Sequence, residues 1–123
     1  MTKQTERIEN SQHIAKQISE FMLDKKALDI QIIDVRKLTT LTDFFIICTS
    51  ESEPQTRAIS NYIEDELVKE GVKPWHKEGY ESLDWVLLDY VNIVAQIFSR
   101  ESREYYDFER LWADAKITQV KDA

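Results

Sequence analysis

The apolar pattern of this chain predicts an α/β (α+β) domain, a single mixed sheet of about five strands flanked by helices. Two helical stripes, Ile14-Ile18-Met22 and Ile59-Ile63-Leu67, are interspersed with short apolar runs of strand length. The unbroken run Phe44-Phe45-Ile46-Ile47-Cys48 has no polar side, as in a central strand covered on both faces. With 123 residues, 42% of them hydrophobic and only two Gly and two Pro, the chain fits one folded domain over 1–123, with its ordered core at about 6–115.

From Glu6 to Asp24, Ile14, Ile18 and Met22 recur every four positions with Ala15 and Phe21 beside them, the spacing of a helix with one buried face. Leu28, Ile30 and Ile32 alternate with Asp29 and Gln31 as a half-buried strand; the shift to Ile33 and Val35 predicts a bulge or burial on both sides. Asp43 to Thr49 is the next strand. Ser52, Pro54 and Gln55 mark a helix start, with a hydroxyl cap, Pro in the first turn and Gln three positions after the Ser, and Gly71 ends that helix. Val72 to Lys77 contains Pro74, which cannot donate to a ladder, so this short strand belongs at a sheet edge or a strand end. Tyr80 to Leu83 is a loop. Trp85 to Tyr90 and Val91 to Phe98 form an antiparallel pair joined tightly between Asp89 and Asn92. Ser102 is expected to cap a last helix in which Tyr105, Phe108, Leu111 and Trp112 keep helical spacing, while residues 116–123 carry little apolar content and are expected to fray.

The 23 acidic against 16 basic residues give a net charge of -7, which repels phosphate backbones and opposes counterion release, so direct nucleic-acid binding is disfavoured. A basic protein surface is the better electrostatic partner. Cys48 is the only cysteine, so a reducing compartment is expected and no internal disulfide can form. The N-terminal ten residues lack the apolar core of a signal peptide, and no apolar run is long enough to span a bilayer. A cytoplasmic protein without membrane partners is the expectation.

The segment from Glu78 to Trp112 carries the most specific pattern: Glu78-Gly79, Asp84-Trp85 opening a strand, a second apolar strand, then Glu101-Ser102-Arg103, Tyr106, Glu109 and Leu111-Trp112. It resembles the ribosomal silencing factor family, also called RsfS or Iojap. The resemblance runs from about Ile14 to Trp112, with Asp34, Thr42-Asp43 and Ile46 to Thr49 fitting the family's first two strands. Three departures stand out: Ser50 where the family has Gly, Val91-Asn92 in place of a Gly-Asp turn, and Gln96 in place of a frequent His. They bear on loop shape and on the local form of the binding surface, since Val resists the positive φ that Gly accepts.

What the resemblance implies is a nucleotidyltransferase-like fold without enzymatic activity. It also implies docking on the large ribosomal subunit through its ribosomal protein fourteen, which hinders joining of the small subunit and represses translation. Candidate contacts are Trp85, Leu87 and Asp89, which alternate onto one strand face, with Glu78, Glu101 and Arg103. A homodimer through an exposed apolar sheet face is a further expectation.

The alternative is a metal-dependent nucleotidyl- or phosphoryl-transferring enzyme of the related fold. Such enzymes place two carboxylates two residues apart on one strand after a Gly-Ser turn, so that both face the metals. Asp34, Asp43 and Asp89 stand near strand ends, but none has a carboxylate two positions away within its strand and no Gly-Ser dipeptide occurs. Strand-end hydrogen bonding accounts for them better. Gly71 and Gly79 stand alone, which leaves no phosphate loop. His13, His76 and Cys48 match no zinc spacing, and Cys48 lies in an apolar run unsuited to a thiolate nucleophile. Neither cofactor nor metal is expected. Tyr105, Tyr106 and Trp112 lack interleaved Lys and Arg and are assigned to core or helix packing rather than to base stacking.

Overall fold

The computed structural model describes residues 3–121. Helix α1 (Lys3–Asp24) leads into β1 (Leu28–Asp34) and β2 (Phe44–Ser50), followed by α2 (Glu53–Val68), β3 (His76–Glu78), β4 (Trp85–Asp89) and β5 (Ile93–Ser99), then α3 (Arg100–Tyr106), α4 (Phe108–Leu111) and β6 (Lys116–Val120). The six strands form one mixed sheet in the order β3-β4-β5-β2-β1-β6. Only the central β2–β5 pair is parallel, with Ile46 opposite Ala95 and Ile47 opposite Gln96.

Sequence periodicity dictates both layers. Ile14, Ile18 and Met22 of α1 and Ile59, Ile63 and Leu67 of α2 pack on one sheet face against Ile30, Phe44, Ile46, Cys48, Val86, Leu88, Ala95 and Ile97. Alternation sends the intervening residues to the second face, where Ile33, Val35, Ile47, Phe98 and Phe108 form a smaller core flanked by Phe45, Trp85 and Trp112. The bulge expected in β1 lies between Leu28 and Gln31, with Asp29 at φ +47°, and beyond it regular alternation puts Ile32 on the first face and Ile33 on the second. Ser52 caps α2 by accepting from the Gln55 N–H, with Pro54 in the first turn. The strand expected over Val72 to Lys77 is instead the three-residue β3 at the sheet edge, which begins two residues after Pro74.

Four expectations require correction. Residues 116–120 do not fray: β6 pairs antiparallel with β1 along its length, from Asp34 opposite Lys116 to Ile30 opposite Val120, so the sheet has six strands rather than five. Backbone pairing to a buried neighbour holds this strand, which is why its weak apolar content misleads; the fraying expected for Asp122 and Ala123 lies outside the described residues. The last helix is not continuous, because Asp107 at φ +46° separates α3 from α4. Its cap is Ser99, whose hydroxyl accepts from the Ser102 N–H at 3.1 Å, rather than Ser102. Finally, Tyr105 and Tyr106 are exposed rather than core.

Candidate functional site

On the second face α3 packs mainly against β5 and β2, with Phe108 of α4 in the smaller core, and Trp85, Leu87 and Asp89 of β4 stay only half-buried, which leaves the β3–β4 side partly open. Antiparallel register lays Glu78 of β3 opposite Leu87 of β4, and Leu87 opposite the buried Gln96 of β5. One row further, His76 lies opposite Asp89 and Asp89 opposite Val94. Trp85, Leu87 and Asp89 are half-buried, whereas Val86 and Leu88 between them are buried under the helices. The strand alternation expected from sequence thus brings Trp85, Leu87, Asp89 and Glu78 onto one partly open face.

Trp85 is tightly held. Its indole N–H donates to the Gln96 side-chain oxygen at 2.7 Å, its ring stacks on Phe98 with centroids 5.0 Å apart, and Tyr106 lies against it at 4.7 Å. Tyr106 in turn meets the exposed Tyr105 edge-on at 4.9 Å. These two tyrosines, 49% and 81% exposed, extend the apolar rim of the face from β4 onto α3. Their spacing resembles an amphipathic stripe, so sequence alone assigns them inward. The αL break at Asp107 ends the helix before that stripe can be buried.

The charged candidates divide. Glu78 is exposed at the sheet edge and pairs with His76 at 3.1 Å. Glu101 is exposed in the first turn of α3. Asp89 accepts the Val91 N–H at 2.7 Å, which fixes the β4–β5 turn. Arg103 does not face outward: it is 9% exposed, and its guanidinium donates to the Asp29 carbonyl, the Thr49 hydroxyl and both oxygens of Glu109. It ties the β1 bulge, β2 and α4 together, away from β3 and β4.

The strand-end carboxylates have internal partners. Arg36 donates to both oxygens of Asp34, at 2.9 and 2.6 Å, and these hydrogen bonds hold the Asp34 carboxyl below the usual carboxylate range despite the opposing effect of burial. Asp43 is buried and accepts from the Ser11 hydroxyl at 3.2 Å. Among the described residues no three His, Cys, Asp or Glu side chains gather as metal ligands would. Cys48 is fully buried, and burial pushes its thiol up to about 12, so it is no thiolate near neutral pH. No described helix is long and apolar enough to cross a membrane.

Residues 8–123 match the model of a family described as "ribosomal silencing factor during starvation", RsfS. The chain belongs to the ribosomal silencing factor family. Ribosomal silencing factor RsfS of Bacillus subtilis is 34% identical over 97 residues, 79% of this chain and 82% of that protein. Among solved structures, a Chromobacterium violaceum protein superposes with a TM-score of 0.80 at 36% identity, covering 91% of this chain and 93% of its own. A Bacillus halodurans protein gives 0.72 at 29% identity, covering 93% and 99%. RsfS proteins are named for a regulatory role on the ribosome rather than for a reaction, and an open apolar sheet face with acidic residues around it suits surface recognition.

Proposed function

We propose that this chain docks on the large ribosomal subunit through its ribosomal protein fourteen and, seated at the intersubunit face, blocks joining of the small subunit and so represses translation in the cytoplasm. The observation that carries this reading is the half-open β3–β4 face, where Trp85 and Leu87 stand beside the carboxylates of Glu78 and Asp89. Tyr106 on α3 adjoins it through its contact with Trp85 and carries Tyr105 beside it; Glu101 is exposed in the first turn of the same helix, and Arg103 anchors the α3–α4 unit to β1 and β2. A large aromatic beside an aliphatic group, with polar groups around them, has the make-up of an interface hot spot. The acidic balance favours encounter with a basic ribosomal protein over bare RNA. The same face would be covered in a homodimer, so the dimer and the subunit complex exclude one another.

Co-sedimentation of the pure protein with large subunits tests the reading. Leu87→Asp, which places a charge on the open face without opening the core beneath it, should abolish co-sedimentation while the melting temperature stays near that of wild type. Added salt should weaken binding moderately, because exposed charges are screened over ~8 Å at physiological ionic strength. Equal binding to naked ribosomal RNA, or normal binding by Leu87→Asp, sinks the proposal.

A further inference from the structure

Gln96 is the one buried polar side chain in its row of the second face, with Leu87 of β4 on one side and Ile47 of β2 on the other. It is 1% exposed. An apolar residue would fill such a place at no hydrogen-bonding cost, whereas a buried amide is tolerated only when it is partnered. Its partner is the Trp85 indole N–H, at 2.7 Å. Trp85 lies directly opposite Phe98, so Gln96 is its diagonal neighbour two positions along β5, within reach of a long side chain. The amide therefore draws the indole along the strand direction toward Leu87, while Phe98 and Tyr106 bound the ring at 5.0 and 4.7 Å.

We propose that Gln96 is a positioning residue for docking: it holds the Trp85 indole in a single orientation, so that the apolar edge of the face is preformed before the partner arrives. This rests on the docking function proposed above. A tryptophan needs a hydrogen-bond partner for its N–H when it is buried at an interface, and Gln96 supplies that partner from inside the fold. The partner then meets an immobilised ring and bears no rotamer-ordering cost on binding, and the benefit falls mainly on the dissociation rate.

The test uses the full chain carrying Gln96→Met, which keeps side-chain length and removes the acceptor. Gln96→Asn, polar but too short to reach the indole, is the second variant should the first not fold. The chain has three tryptophans, so an amide-correlation spectrum holds three indole N–H signals, and that of Trp85 is assigned by its loss in Trp85→Phe. In the free protein, either Gln96 variant should shift the Trp85 indole signal and speed its hydrogen exchange. Dissociation from large subunits should quicken by roughly tenfold, the scale of one side chain's ordering cost. In the Trp85→Phe background the same Gln96 change should alter dissociation by less than about twofold, a coupling that a merely structural role would not produce.

If wild type binds subunits and Gln96→Met leaves the indole signal or the dissociation rate unchanged, the positioning role is overturned while docking stands. An equal effect of Gln96→Met in both backgrounds overturns it too. If wild type fails to bind subunits at all, the docking function falls and the inference falls with it.

Discussion

Gly79 sits between β3 and β4 at φ +90°, and a Cβ there would collide with the Trp85 carbonyl. Only glycine can hold this turn while β4 begins with Trp85 on the open face. Gly79→Ala should therefore destabilise the fold by about 2 kcal/mol or more, read as a lower urea midpoint; an unchanged midpoint would falsify this account of the turn. Val91 is the opposite case. At φ +74° it occupies a γ-turn in which the Asn92 N–H donates to the Tyr90 carbonyl at 2.9 Å, and a β-branched residue is strained there. Its side chain is largely exposed and contributes little packing. Val91→Gly should raise stability by about 1 kcal/mol, a higher melting temperature, and any fall in melting would show that the turn is unstrained. The resistance of Val to this geometry is legible in sequence; that the chain adopts it anyway is not. Register between β4 and β5, together with the Asp89 side chain accepting the Val91 N–H, forces the conformation.

At the scale of elements, the α3–α4 unit is held to the sheet by Arg103. Its guanidinium joins three groups on β1, β2 and α4, and Glu109 supplies the counter-charge. Removing one member of a buried pair leaves the other uncompensated, which costs more than the pair's net contribution. Glu109 is partly solvated, which lowers the expected penalty. Arg103→Met should cost about 2 to 3 kcal/mol of unfolding free energy in urea titration and loosen Tyr106 from Trp85. A midpoint equal to that of wild type would show that the clamp contributes nothing. Sequence places Arg103 in the right motif but not on the right side: a helical arginine reads as exposed by default, and only the bulge carbonyl at Asp29 and the Thr49 hydroxyl explain its burial.

For the whole molecule, the Asp34–Arg36 pair contributes to stability on the acid side of neutrality. Hydrogen bonds from Arg36 lower the Asp34 pKa in the folded state, so the folded chain binds the proton less readily than the unfolded chain does. The contribution is present above the ordinary carboxylate pKa of about 4 and is lost as pH falls from there through the depressed folded value. Asp34→Asn should therefore flatten the acid limb of the stability–pH curve and leave its shape near neutrality unchanged. An acid limb identical to that of wild type would assign acid unfolding to other carboxylates.

The two amphipathic helices, the apolar β2 run, the Pro-marked edge strand and the alternation that groups Trp85, Leu87 and Asp89 follow from side-chain periodicity, because a period of 3.6 or 2 decides which residues share a face whatever lies opposite. The resemblance carried by Asp84-Trp85 and by Glu101 to Trp112 belongs to the same local level. Tertiary structure alone decided the rest. Strand β6 exists because β1 offers an edge for it to pair with, Tyr105 and Tyr106 are exposed because the helix breaks at Asp107, and Arg103 turns inward because the distant Asp29 carbonyl and Thr49 hydroxyl converge on it. The strand pairing and the Arg103 contacts depend on groups far apart along the chain, and no local period encodes where such groups will meet.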